Sequence, residues 1–181
     1  GELETILDNK IEIQFPIFIK PRYGHKSASS KGCYKIKNMD ELKKHVETKD
    51  AMWSEYYDGN ETMTDYIMVN GKICHQITYV YSPPKNGFTD EWKYISPDNK
   101  PPKAIDAWVS KHMKEFSGIC NIQYRKDSII EVGMRPARGG AYLQSAGNEN
   151  VIKNINNVIE KNAWVFLPEK DLSFRPYYSF K

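Results

Sequence analysis

Cysteine is scarce in this chain of 181 residues: Cys33, Cys74 and Cys120 stand far apart, with no CxxC pair among them. That excludes a disulfide-framed small domain and a cysteine-based zinc site, and it leaves free thiols in a reducing compartment, with the cytoplasm the expected setting. Charge of one sign is scarce too. The formal net charge is +3, with Lys and Arg scattered rather than gathered into a stripe, so nucleic acid is not an expected partner. No apolar run reaches the length of a membrane span and no signal-peptide pattern is visible, so a membrane is not expected either. The phosphate-binding pattern G-x-x-x-x-G-K-[ST] is missing. No internal repeat or low-complexity segment is present. What remains, with 40% hydrophobic and 27% charged residues, is a globular chain that can bury one full core or two small lobes.

The most informative stretch is 118–140, GICNIQYRKDSIIEVGMRPARGG. It reads as two strands joined by a polar turn at Lys126-Asp127-Ser128. Asn121 and Gln123 share one side of the first strand; Glu131, Gly133 and Arg135 share one side of the second. Directly paired residues lie on the same face, and an odd-length loop is needed to bring the two polar rows together. A three-residue loop predicts Gln123 opposite Glu131 and Asn121 opposite Gly133. An amide and a carboxylate side by side suit a hard cation such as Mg²⁺ completed by substrate phosphates, and Arg135 suits phosphate charge. The same pattern is also that of an exposed polar face on an amphipathic hairpin, and the stretch alone leaves both readings open.

Upstream, Ile11 to Lys20 is strand-like and stops at Pro21. A Gly/Ser-rich loop follows as far as Gly32, containing Ser27, Ser29 and Ser30, whose backbone N–H groups and hydroxyls could form an anion nest. Asn38 with Glu41 three residues on gives a capping-box-like helix start. Further strands are expected over 33–37 and 51–57, and a hairpin over 62–81 around Asn70-Gly71. Residues 82–102 carry five prolines and no clear period, which predicts a long loop. Helices are expected over 104–116, 141–146 and 151–161, and the tail 167–181 is expected to pack along a surface. His25, His75 and His112 do not converge by spacing, and His45 falls in a helix.

Three stretches, in this order, resemble the ATP-grasp superfamily. FPIFIKP is similar to its "fPvivKP" strand, SEYYDGNETMTD to its hinge "qEyidGpEytvD", and NIQYRKDSIIEVGMRPARGG to its metal hairpin "nvQf…viEvNPR…gG", closest to the carbamoyl-phosphate synthetase and biotin carboxylase branch. The resemblance covers roughly residues 2–150. It implies an α+β fold of two lobes whose antiparallel sheets clasp ATP, with a small lobe over 1–58, a large lobe over 59–166 and a tail over 167–181. It also implies roles. Lys20 would bind the α- and β-phosphates, with Ser27, Ser29 and Ser30 in the loop beyond it. Ser54, Glu55 and Tyr57 would meet the adenine, the last two through backbone groups, and Glu61 would grip the ribose hydroxyls. Gln123 and Glu131 would be Mg²⁺ ligands, Arg135 the catalytic arginine alongside Lys20, and Arg138 a contact to an acceptor substrate. Asp65 matches a family aspartate expected to be structural.

The sequence departs from the family at three places: Ser54 stands where Glu or Gln is usual, Gly133 where the metal-binding asparagine is usual, and Met134 where proline is usual. Asn121 is expected to substitute in part as an oxygen ligand. The implied activity is ATP-dependent ligation of a small-molecule carboxylate to an amine or other nucleophile through an acylphosphate. Because about fourteen residues precede Phe15, a further N-terminal domain of the same protein is expected as a partner. The alternative is a non-catalytic nucleotide- or partner-binding module on a degraded scaffold of the same kind.

Overall fold

The structure, a computed structural model, describes residues 3–8, 11–23, 32–45, 48, 50–83, 91–137 and 148–180. The chain divides into two compact units, Gly1–Asp58 and Gly59–Lys181.

In the first unit, strand β1 (Ile17–Pro21) lies between β2 (Tyr34–Ile36) and β3 (Ala51–Glu55), antiparallel to both. The strand expected over 11–20 begins only at Ile17, because Pro16 lacks the N–H that a ladder requires. Ile17 and Ile19 alternate onto one face, where they meet Ile36 and Ala51 and are covered by Leu3 and Ile6 of α1 (Leu3–Leu7) and Leu42 of α2 (Met39–Lys43). Asn38 caps α2 as expected: its Oδ1 accepts from the Glu41 N–H at 2.9 Å. The return bond lands one residue early, on the Lys37 N–H, which donates to Glu41 Oε2 at 2.7 Å. Pairing Phe18 with Lys35 and Ser54, and Lys20 with Met52, places these residues on the opposite face of the sheet.

The second unit is built on a six-stranded antiparallel sheet. Its strands are β4 (Glu61–Val69), β5 (Lys72–Tyr81), β6 (Trp92–Ile95), β7 (Gly118–Arg125), β8 (Ser128–Gly133) and β9 (Tyr177–Phe180), in spatial order β8-β7-β4-β5-β6-β9. Asn70 and Gly71 join β4 to β5 with φ values of 47° and 76°, the left-handed pair that a tight hairpin demands. Glycine is doubly required at position 71, since a Cβ there would collide with the Lys114 backbone carbonyl.

One face of this sheet presents Tyr66, Met68, Cys120, Ile122 and Tyr124 to α3 (Lys103–His112), which inserts Ile105 and Val109. On the other face Ile67 and Ile119 pack under α4 (Glu149–Lys161) through Val151, Ile155 and Val158, and against Trp164. Two buried polar seams cross the first face. Thr64 Oγ1 lies 2.9 Å from Thr78 Oγ1 and 3.0 Å from the Tyr124 hydroxyl. The Tyr66 hydroxyl donates to Asp106 of α3 at 2.8 Å, and burial, then Asp106, keeps it protonated.

Three expectations change. The stretch expected as a loop contains β6, which pairs with both β5 and β9. The C-terminal segment does more than line a surface: it forms a short helix α5 (Glu169–Leu172) and the edge strand β9. The four-residue alternation Trp-Lys-Tyr-Ile is too short to stand out among prolines until its distant partner is known. Helix α3 stops at His112, short of the expected end, and the helix expected over 141–146 lies outside the described residues.

His75, on β5, stacks on Trp164 at 5.8 Å and meets the edge of Phe174 at 6.4 Å. Burial first, and then the Lys100 charge, lower its pKa from 6.5 to about 4. The native state therefore holds His75 neutral where the unfolded chain would bind a proton, so the stability this site contributes is complete above about pH 6.5 and is lost as pH falls towards 4. Thermal melts should show that fall in the parent chain and its flattening in His75→Phe, which keeps the ring stack and removes the titration. An equal acid-side fall in both would refute it.

Candidate functional site

The hairpin β7–β8 has the expected register by a different route. Gln123 lies opposite Glu131 and Asn121 opposite Gly133. The turn, however, holds only Lys126 and Asp127, with Arg125 paired to Ser128 and Lys126 at a left-handed φ of 52°. Such a turn alone would set Gln123 against Ile130 and send Glu131 to the other face. A bulge between Tyr124 and Gln123 corrects this: Tyr124 pairs with Ile129, Gln123 with Glu131, and Ile130 is the extra residue. The polar row survives because the strand is irregular.

Along the same face, β4 sets Glu61, Met63 and Asp65 directly beside Arg125, Gln123 and Asn121 of β7. Glu131 is exposed and Gln123 half-buried, so an amide and a carboxylate oxygen stand together where a cation could reach them. Among the described residues no group of three or more His, Cys, Asp or Glu side chains could hold a metal ion. The arrangement therefore suits a cation largely completed by a ligand's own oxygens and by water.

Asp65 is fully buried and holds this face together. Its Oδ2 accepts from the Tyr79 hydroxyl at 3.0 Å, and its Oδ1 accepts from Asn121 Nδ2 at 2.8 Å and from the Ala137 N–H at 3.1 Å. Burial, followed by the Asp65 charge, pushes the Tyr79 hydroxyl well above its ordinary range. Asp65 thus ties β4, β5 and β7 to the chain two residues beyond Arg135, in keeping with the structural role expected of it. Asn121, expected to substitute in part as an oxygen ligand, is 5% exposed and its amide nitrogen Nδ2 is committed to Asp65.

Gly133 does not share the positive φ of Gly118 or Gly71, and a Cβ there would meet Asn121 at ordinary contact distances of 3.7 and 3.8 Å. Gly133→Asn should therefore fold and place an amide oxygen beside Glu131. Half-saturating Mg²⁺ for nucleotide binding should fall several-fold in a titration at fixed nucleotide; no change would count against a missing ligand at this position.

Arg135 is exposed, its Nη1 donating to the Pro136 carbonyl at 3.1 Å. Glu61 is joined to Arg125 across the strands, with Arg125 Nη2 3.6 Å from Glu61 Oε2. Sequence reasoning misses one cation on this face: Lys93 of β6, whose Nζ lies 5.0 Å from the Tyr81 ring centre and whose strand neighbour Tyr81 follows from the β5–β6 register. Only the pairing of β6 puts it there, so no local signal could have found it.

In the first unit, Lys20 is half-buried on the sheet face away from the helices, with Phe18 two residues back and Ser54 opposite Phe18. The Tyr56 N–H donates to the Pro16 carbonyl at 3.3 Å. By strand alternation Glu55 and Tyr57 turn their backbone groups to the outer edge, which suits recognition by backbone atoms. The Tyr57 hydroxyl is shifted upward by burial, then by the charge and hydrogen bond of Glu55. Ser27, Ser29, Ser30 and Arg138 lie outside the described residues.

No protein-family model matches the chain. A D-alanine–D-alanine ligase from Petrotoga mobilis is 33% identical over 101 residues, covering 51% of this chain and 33% of the ligase. Among solved structures, a carboxyaminoimidazole ribonucleotide synthase from Aspergillus clavatus, complexed with ATP, superposes with a TM-score of 0.65 at 12% identity, covering 97% of this chain and 48% of that one. An L-amino acid ligase from Bacillus licheniformis superposes with a TM-score of 0.57 at 19% identity, covering 85% and 41%. The chain has the α+β ATP-grasp fold. It spans about a third of the length of the curated relative and less than half of these two structures.

Proposed function

We propose that this chain is the ATP-binding core of an ATP-dependent ligase that joins a small-molecule carboxylate to an amine or a similar nucleophile. The observation that carries the reading is the Gln123–Glu131 pair, set by the bulge on the same sheet face as Glu61 and close to Arg135 in sequence. Lys20, on a face of the other unit's sheet, would supply phosphate charge neutralisation, as would Lys93. Ser54, Glu55 and Tyr57 would receive the adenine and Glu61 the ribose. Ser27, Ser29, Ser30 and Arg138 keep the roles the resemblance implies.

Mg²⁺, held by Glu131 and Gln123 and completed by phosphate oxygens, would neutralise charge on the transferred phosphoryl group. The carboxylate of the acceptor attacks the γ-phosphorus and ADP leaves; the nucleophile then attacks the acyl carbon and phosphate leaves. Arg135 would stabilise charge developing in the first transfer. Positioning suffices for both steps, so no side-chain nucleophile is needed. Free thiols at Cys33, Cys74 and Cys120 fit a cytoplasmic setting, and no helix among the described residues is long and apolar enough to cross a membrane.

The test is calorimetry with ATP in the presence and absence of Mg²⁺, paired with ADP release over a panel of carboxylates and amines. Mg²⁺-dependent binding with acceptor-dependent ADP release is expected. Binding without release under every acceptor would favour a non-catalytic nucleotide module, a reading to which Gly133 and Ser54 lend weight. Absence of ATP binding would overturn both.

A further inference from the structure

We propose that β9 is a self-association edge, at which two copies of this chain pair antiparallel about a two-fold axis through Ser179. The six-stranded sheet ends in two unlike edges, β8 and β9. The β8 edge carries the exposed carboxylate of Glu131 and the bulge at Ile130, two of the devices that keep a bare strand from recruiting another. The β9 edge, Tyr-Tyr-Ser-Phe, has neither charge nor bulge, and no strand lies on its outer side among the described residues. One of its faces is settled: Tyr177 packs against the buried cluster that contains Tyr79, Ile95 and Phe174. The other is a row of rings. Tyr178 stacks on Tyr94 with centroids 4.3 Å apart and on Phe180 at 6.1 Å, and Trp92 meets Tyr178 at 6.2 Å. Tyr178 is nevertheless 54% exposed and Phe180 74% exposed.

The strand's own sequence suits a second copy of itself. A two-fold axis between two antiparallel edge strands stands perpendicular to the sheet, so each face stays on its own side. Directly paired residues share a face, and the axis must therefore pass through a residue rather than between two. Centred on Tyr178, the pairing would place Pro176, which has no N–H, in the ladder. Centred on Ser179, it sets Tyr178 of each copy opposite Phe180 of the other. Two aromatic cross-strand pairs then join the two rows of rings into one band and remove from water the rings that β9 now exposes. The small Ser179 meets its own copy at the centre without crowding, and no like charges oppose each other along the strand. Four residues make a short ladder, so the pairing is weak and forms only as concentration rises.

The experiment follows the mass of the full chain by sedimentation over a wide range of concentration. The parent should pass from monomer to dimer and go no further, because a two-fold contact uses up both edges. Phe180→Glu and Tyr178→Lys should each weaken the dimer by about tenfold or more. Both side chains are exposed, and thermal melts establish that the variants fold. Mixed in equal amounts, the two variants should recover much of the parent's affinity, since the axis sets the new lysine of one copy against the new glutamate of the other. Ser179→Cys should oxidise to a covalent dimer that neither the parent nor Phe180→Cys yields, because only position 179 faces itself, with Cα atoms about 4.5–5.5 Å apart. Should either charged variant fail to fold, this cross-link carries the comparison. A parent that stays monomeric at every concentration overturns the proposal. So does a dimer indifferent to Phe180→Glu and Tyr178→Lys, which would use another surface, and so does growth into open chains of copies, which would pair β9 with a different edge. A dimer that mixing does not restore and Ser179→Cys does not cross-link overturns the axis at Ser179.

Discussion

Asp65→Ala is expected to cost the second unit about 3–5 kcal/mol. The substitution leaves three donors without their acceptor in the sheet: the Tyr79 hydroxyl, Asn121 Nδ2 and the Ala137 N–H. Folding desolvates each of them against the carboxylate, and a buried donor left unsatisfied costs about 1–3 kcal/mol. Asp65→Asn does not repair the site, because an amide turns at least one donor towards groups that already donate. Tyr79→Phe is the graded control, removing one donor together with its bond and costing about 1 kcal/mol. Urea denaturation of the three variants should order them Asp65→Ala worst, Asp65→Asn next and Tyr79→Phe mildest. A loss below about 1 kcal/mol for Asp65→Ala would mean that the network is dispensable. Even where Asp65→Asn stays folded, the Tyr79, Asn121 and Ala137 donors must share a single acceptor oxygen, so the segment after Arg135 is held less firmly and Mg²⁺-dependent nucleotide binding should weaken beyond what the stability change alone explains.

The fold is legible where neighbours in sequence are partners in space. Asn70-Gly71 announces its hairpin, Asn38 and Glu41 announce a helix start, and the alternation through β7 and β8 announces which residues share a face. The pairing of Gln123 with Glu131 follows from the sequence through a three-residue loop, whereas the protein reaches it by a shorter turn with a bulge at Ile130. Both devices change the parity by one residue, so a pattern that specifies parity cannot distinguish them. The features hidden from the sequence rest on contacts between distant segments. Asp65 draws donors from 14, 56 and 72 residues away, and β6 becomes a strand by pairing with β9 at the far end of the chain. Lys93 comes to the candidate face for the same reason. Asn121 shows the limit from the other side: alternation places it correctly, while a buried aspartate next to it on β4 decides its use.

Lys20→Ala should weaken Mg-ATP binding by roughly ten- to a hundredfold, the equivalent of a charge-assisted contact of about 1.5–3 kcal/mol. Lys20 ends an apolar strand whose other residues settle its direction. Ile17 and Ile19 are buried towards α1 and α2, so alternation sends Phe18 and Lys20 to the opposite face. There the lysine stem can lie along Phe18 and Met52 while the ammonium reaches beyond the sheet. The bland reading is an ordinary strand-end lysine that snorkels to water, and the two readings differ in salt and in ligand. Such a lysine should leave affinity for ATP and for adenosine equally unaffected by the substitution. A phosphate contact should lower affinity for ATP, leave adenosine unaltered, and make the parent's ATP affinity fall more steeply with ionic strength than that of the variant. Calorimetry with both ligands at two salt concentrations, with circular dichroism to establish that the variant folds, reads all of these at once. Equal ATP affinities for parent and variant, at either salt concentration, would remove Lys20 from the site and leave phosphate recognition to be sought at Lys93 and Arg135.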